Sequence, residues 1–255
     1  MTTATSGTFE GRTAIVTGAG GVLGREVAAR LAAAGAHVLL VDRDPAALEK
    51  TLASLGTTAG RVATHVADVS VDADVASYVD AARALGTGEI ALFFNNAGIE
   101  GVAAPIEDQR IEDFDRVMAV NVRGVFLGMS HVLRYMTRGA VIVNTCSTAG
   151  HRGAANLAPY IASKHAVLGL TRTVSLENQE RGIRICAVSP GPIEGRMMAS
   201  LNTQRGLTRP DDSVEATAIR YSDPAEVAAA VMFLFSDEAS FITGSALVVD
   251  GGRLS

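Results

Sequence analysis

Thr13-Ala14-Ile15-Val16-Thr17-Gly18-Ala19-Gly20-Gly21-Val22-Leu23-Gly24 runs from an apolar, β-branched stretch through a glycine turn into a helix-forming segment. The apolar start predicts a buried strand. Glycines allow the chain to turn tightly and approach a pyrophosphate, whose charge favours the N-terminus of the following helix. A glycine string alone is weak evidence. Here a strand precedes it, a helix follows, and the acidic Asp42 ends the next apolar run. An acid roughly 20 residues beyond such a turn is placed to accept hydrogen bonds from an adenosine ribose. Its carboxylate would also repel a 2′-phosphate, which favours NAD over NADP, although neighbouring Arg43 leaves NADP open. Asp42 has an alternative role as part of a helix-capping turn ahead of Pro45.

Outward from this turn, short apolar runs alternate with helix-period segments. Residues 14–17, 37–41, 61–66, 90–95, 140–145, 183–188 and 246–249 read as strands. Residues 26–34, 45–55, 72–85, 111–136, 162–181 and 225–235 read as helices. Continuous apolar strands suit a parallel sheet covered on both faces, and repeated βαβ units predict an α/β, Rossmann-type doubly wound sheet of seven strands. The whole chain, 1–255, reads as one domain, with 9–145 mainly dinucleotide-binding and 146–255 mainly catalytic. Residues 192–222 break the rhythm and are longer than an ordinary connection. Met197, Met198 and Leu201 have helical spacing there, as the anchor of a short helix or as a lid over a substrate.

Hydrophobic residues make up 48% of the 255 and charged residues 19%, which promises a large core and a surface partly covered by oligomerisation. A net charge of -5 with scattered Lys and Arg gives no basic patch for nucleic acid. Cys146 and Cys186 lie in apolar runs and read as reduced core thiols, and no ligand spacing suggests a metal. The first eight residues lack the apolar stretch of a signal peptide, and no run is long enough to span a bilayer, so a soluble, cytoplasmic protein is expected.

Two further strand ends point to the same edge. Asp68-Val69 follows the third strand, where Asp68 could serve adenine, and Asn95-Asn96-Ala97-Gly98 follows the fourth, with a small pair that lets a cofactor approach. Ordinary turn chemistry is the alternative for both. Tyr160 and Lys164 are four apart on one helix face, thirteen residues after Ser147. A neighbouring ammonium favours a phenolate and pulls its pKa down from about 10. With a serine holding the substrate oxygen, that set suits proton transfer between an alcohol and a ketone. Asn121 falls on the apolar stripe of its helix, as a structural amide or as one that organises water near Lys164. His151 and Arg152 follow Ser147 as a solvent-facing turn or as polar contacts to a substrate; His37, His65, His131 and His165 read as structural.

Taken together, these segments resemble the short-chain dehydrogenase/reductase family across essentially the whole chain. The resemblance rests on Thr17–Gly24, Asp68, Asn95-Asn96-Ala97-Gly98, Asn121, Ser147, Tyr160-x-x-x-Lys164 and Pro190-Gly191-Pro192-Ile193. It implies a nicotinamide cofactor held by Gly18, Gly20, Gly21, Val22, Leu23, Gly24, Asp42, Arg43, Asp68, Val69, Asn95, Ala97, Gly98, Tyr160, Lys164, Pro190, Gly191 and Ile193. It also implies an Asn121–Ser147–Tyr160–Lys164 catalytic set and a homotetramer. The implied activity is reversible oxidation of a secondary alcohol to its ketone by a nicotinamide cofactor, NAD by the reading of Asp42. The small, mostly apolar run 148–159 with Met197, Met198 and Leu201 favours an apolar or cyclic substrate. Tyr160 would move the proton, and Lys164 would also hold the nicotinamide ribose. Two positions depart from the family pattern: Val22 stands where a glycine is usual, and Gly195 where a threonine is usual. An NADPH-dependent 3-oxoacyl-acyl-carrier-protein reductase is the alternative. Leu127 and Leu176 stand where basic residues would meet an acidic carrier, while Arg123, Arg172 and Arg181 keep that alternative open. A non-catalytic dinucleotide sensor is the third reading.

Overall fold

The computed structural model describes residues 9–204, 206 and 220–255. Seven parallel strands form one sheet in the order β3-β2-β1-β4-β5-β6-β7. They are β1 (Thr13–Thr17), β2 (His37–Asp42), β3 (Val62–Val66), β4 (Leu92–Asn95), β5 (Val141–Thr145), β6 (Arg184–Pro190) and β7 (Ala246–Val249). The strand order reverses between β1 and β4, which opens a crevice at their carboxyl ends.

The sheet is buried on both faces because successive strand side chains point to opposite sides. Ala14, Val16, Val38, Leu40 and Phe94 pack on one face against α1 (Val22–Ala33) and α8 (Pro224–Phe235). Ile15, Leu39, Val41, Phe93 and Ile142 face the other way, toward α3 (Asp72–Leu85), α5 (Gly124–Val132) and α6 (Ala158–Glu177). The seven expected strands and the doubly wound α/β architecture are therefore present, with α2 (Pro45–Ser54) completing the first side.

Local chemistry shifts three boundaries. The first helix begins at Val22 rather than at residue 26, so the last glycine of the turn lies inside it. The helix α6 begins at Ala158 with Pro159 in its first turn, where a missing N–H costs nothing, and this brings Tyr160 onto the helix. The segment 111–136 is not one α-helix: α4 (Ile111–Met118) passes through a π-helical turn, Ala119–Arg123, before α5. Asn121 sits inside that turn. Phe114 of α4 is 40% exposed.

The expected lid is described only in part. Its α7 (Arg196–Gln204) buries Leu201, and its two ends are pinned together, with Ser222 N donating to Pro192 O at 2.9 Å and Glu194 N to Ser222 O at 3.1 Å. Residues 205 and 207–219 of that segment lie outside the described residues. No helix among the described residues is long and apolar enough to cross a membrane.

Candidate active site

The carboxyl ends of the strands open into one cavity of about 680 Å³. At one end lies the glycine turn. Gly18 has φ +65°, and a side-chain carbon at Gly24 would land on the Gly18 carbonyl, so neither position tolerates a Cβ in this geometry. Thr17 braces the turn from behind, its hydroxyl accepting from Asn96 N at 2.9 Å and Ala97 N at 3.1 Å. The outer face of Gly20, Gly21 and Leu23 faces the cavity at the N-terminus of α1. Open backbone at a helix N-terminus is a cradle for a phosphate, and the residues present fit an anionic dinucleotide.

Asp42 joins this turn to the next strand. Its Oδ2 accepts from Gly20 N at 3.0 Å and its Oδ1 from Asp44 N at 3.1 Å. The capping role left open for Asp42 belongs instead to Asp44, whose carboxylate accepts from Ala46 N and Ala47 N. Asp42 thus lines the cavity with lone pairs to spare. Asp68 lies farther along the same rim. Hydrogen bonds from the Ser70 hydroxyl, at 2.7 Å, and the Ser70 N–H hold its carboxyl below the usual range against a partial burial cost, and the Arg43 charge helps.

At the other end, Ser147, Tyr160 and Lys164 converge. The Lys164 Nζ donates to Thr145 O at 2.9 Å and stands 5.6 Å from the centre of the Tyr160 ring. The Ser147 hydroxyl caps the short turn Thr148–Gly150 and also hydrogen-bonds the phenol. The expectation that Lys164 draws the phenol pKa down is corrected here. Burial pushes Tyr160 up to about 12, and the Ser147 hydrogen bond only partly offsets it. Burial likewise lowers the Lys164 pKa, opposed by Cys146. Burial costs the phenolate more hydration than the Ser147 hydrogen bond returns, so Tyr160 rests protonated.

Most of the residues expected at the site line this cavity; two do not. Asn95 is buried beneath the sheet end, where its Nδ2 donates to Val125 O at 3.0 Å and Asn144 Oδ1 at 3.1 Å. Its neighbour Asn96 has the alternate strand direction and reaches the cavity instead. Asn121 is wholly buried, and its amide pairs with the Ile99 backbone, accepting at 2.8 Å and donating at 2.9 Å. The second N–H goes to Ser163 Oγ at 3.0 Å, so neither donor remains for a water. Asn121 ties the loop after β4 to the Tyr160–Lys164 helix. Replacing it by alanine would leave the Ile99 backbone unpaired at roughly 1–3 kcal/mol per buried group. Asn121→Ala is expected to unfold at clearly lower urea, and an unchanged midpoint would refute this bracing role.

Sequence reading missed Arg25, Lys50 and Arg253, which all line the cavity. Arg25 follows the glycine turn directly, and its Nη2 donates to Gly20 O at 3.4 Å, a proximity to the turn that could have flagged it. Lys50 is on the α2 turn that faces the rim and gave no local signal. His151 lies on an exposed turn but bonds Ser189 Oγ at 2.9 Å. Among the described residues no group of three or more His, Cys, Asp or Glu is arranged to hold a metal ion.

A family model described as enoyl-(acyl carrier protein) reductase matches residues 18–253. A levodione reductase of Leifsonia aquatica is 42% identical over 254 residues, covering 96% of this chain and 95% of the relative. A cyclohexanol dehydrogenase of Acinetobacter sp. (strain SE19) is 37% identical over 253 residues, covering 98% of each. Among solved structures, an NAD+-bound xylitol dehydrogenase has a TM-score of 0.87 at 35% identity, over 96% of this chain and 99% of that one. A short chain dehydrogenase from Burkholderia cenocepacia J2315 in complex with NADP has a TM-score of 0.86 at 30% identity, over 97% and 100%.

Proposed function

The chain belongs to the short-chain dehydrogenase/reductase family and is an NAD(P)-dependent alcohol dehydrogenase/reductase, and from that premise we propose that it uses NAD to interconvert an apolar or cyclic secondary alcohol and its ketone, with Tyr160 moving the proton. The observation that carries this reading is the single cavity joining Asp42 and the glycine turn to Ser147, Tyr160 and Lys164. A bound nicotinamide dinucleotide supplies the hydride acceptor, or the donor in the reverse direction. Gly20, Gly21 and the α1 N-terminus would hold its diphosphate, Asp42 its adenosine ribose and Lys164 its second ribose.

Ser147 orients the substrate oxygen through its hydroxyl. Tyr160, neutral at rest, gives its proton to the ketone oxygen in reduction and recovers it in oxidation. Lys164 holds its ammonium against Thr145 O beside that exchange. Ala149, Leu157, Ile161, Met197, Met198 and Leu201 supply the wall beyond Ser147, which suits a ring or aliphatic body. The similarity to a cyclohexanol dehydrogenase supports the same substrate class.

A second reading, an NADPH-dependent 3-oxoacyl-acyl-carrier-protein reductase, shares with the matched family description only the acyl-carrier-protein substrate. Leu176 is 66% exposed and apolar, and Arg181 is occupied by Leu133 O, Met136 O and Asn178. Arg123 and Arg172 remain exposed for an acidic carrier. Fluorescence titration separates the two readings. NADH binding at least about tenfold tighter than NADPH is the expected result, and the reverse preference would favour the reductase. We also propose a homotetramer, because Phe126 on α5 and Leu176 on α6 leave apolar rings and branches in solvent. Sedimentation should give about four chains per particle; a monomer would contradict it.

A further inference from the structure

Val22 is the one β-branched side chain in the glycine run that opens α1, and it is 40% exposed. Gly195, directly before α7, lies against it. A side-chain carbon at Gly195 would stand 3.0 Å from Val22 Cγ2 and 3.3 Å from Cγ1, and the Gly195 backbone at φ +157° adds a strain of its own to any side chain. Neither wall yields easily. The valine methyls share one stiff χ1 torsion at the helix start. The root of α7 is held by the Pro192–Ser222 and Glu194–Ser222 backbone hydrogen bonds, and Gly195 O accepts from Ala199 N at 3.0 Å. Both residues line the cavity between the glycine turn and that root.

We propose that Val22 and Gly195 form one size-matched pair that sets the width of the passage for the cofactor diphosphate. The side-chain bulk comes from α1 and the clearance from the root of α7. The steric part of any bulk added at Gly195 is therefore relieved by bulk removed at Val22, although the two residues are remote in sequence. The pair also couples the seating of α7 to the cofactor turn. This inference rests on the proposed dinucleotide reading of the cavity and adds the residues that set its fit.

The test is a double-mutant cycle on the full chain with Val22→Gly, Gly195→Thr and both together. Dissociation constants are measured for NADH and for ADP-ribose, which keeps the diphosphate and lacks the nicotinamide. Circular dichroism checks that each variant is folded. Gly195→Thr is expected to weaken both ligands by at least about tenfold, through overpacking and backbone strain together, and the double variant to bind both at least about threefold tighter than the two single effects multiplied would give. If Gly195→Thr does not fold, Gly195→Ala with Val22→Ala repeats the cycle with a smaller expected coupling. Effects that simply multiply in the double variant, or a Gly195→Thr protein that binds like the parent, would overturn the pairing alone. A parent that binds neither NADH nor NADPH would overturn the cofactor reading itself and this inference with it.

Discussion

Phenylalanine in place of Tyr160 is expected to lower kcat/KM for alcohol oxidation by roughly 10²–10⁴-fold, the usual range for a positioned general acid or base. The substitution removes one oxygen and keeps the ring, so the wall beside Lys164 is preserved. NADH affinity should stay within about threefold of the parent, which separates loss of chemistry from loss of binding. Burial holds the phenol at about 12, above its ordinary value, so it is protonated throughout the neutral range. The proton-donor form needed for ketone reduction is then fully populated, and the Tyr160 contribution to reduction should be flat from neutral to mildly alkaline pH. Oxidation needs the phenolate and should rise with pH over the same range. Folding carries the matching sign. A phenol whose folded-state pKa is raised contributes stability fully below about pH 10 and loses it as pH climbs toward the folded value near 12. Paired pH–rate profiles in the two directions are the check; a Tyr160→Phe enzyme with parental kcat/KM would remove Tyr160 from the chemistry.

Asp42→Asn is expected to shift the ratio of NADPH to NADH affinity toward NADPH by roughly 100-fold. Two like charges about 4 Å apart at a protein surface repel by about 1–4 kcal/mol, and each 1.4 kcal/mol is tenfold in affinity. Asparagine keeps one oxygen to accept from Gly20 N and gives up the bond from Asp44 N, so the brace on the glycine turn is retained while the charge is removed. Arg25, Arg43 and Lys50 line the same cavity and would then meet a 2′-phosphate with one fewer opposing carboxylate. The measurement is a pair of fluorescence titrations on parent and variant. An unchanged ratio would mean that Asp42 does not face the adenosine ribose.

The sheet was readable because each strand is a continuous apolar run and each turn carries its own punctuation. The glycine turn with Asp42, and Ser147 with Tyr160 and Lys164, were readable for the same reason: their meeting at one cavity is written in local spacing. Features set by distant partners were not. The π-helical turn around Asn121 exists where its amide reaches Ile99 and Ser163, contacts that no helical periodicity encodes. Asn95 and Asn96 are indistinguishable by type, and only the end of β4 sends one into the core and the other to the cavity. The resting state of Tyr160 depends on how deeply its neighbours bury it, so the i to i+4 spacing of Lys164 gave the wrong sign of shift. The Val22–Gly195 contact likewise joins two positions that looked like unrelated departures.

The most direct test of an NAD-dependent secondary-alcohol dehydrogenase is nicotinamide absorbance at saturating NAD, then NADP, with purified protein. The panel would hold cyclic, aliphatic and hydroxyacyl alcohols, with Tyr160→Phe measured alongside. Turnover of a cyclic or aliphatic secondary alcohol with NAD, lost in the variant, is the predicted result. Turnover confined to hydroxyacyl substrates with NADP, or equal rates in parent and variant, would contradict it.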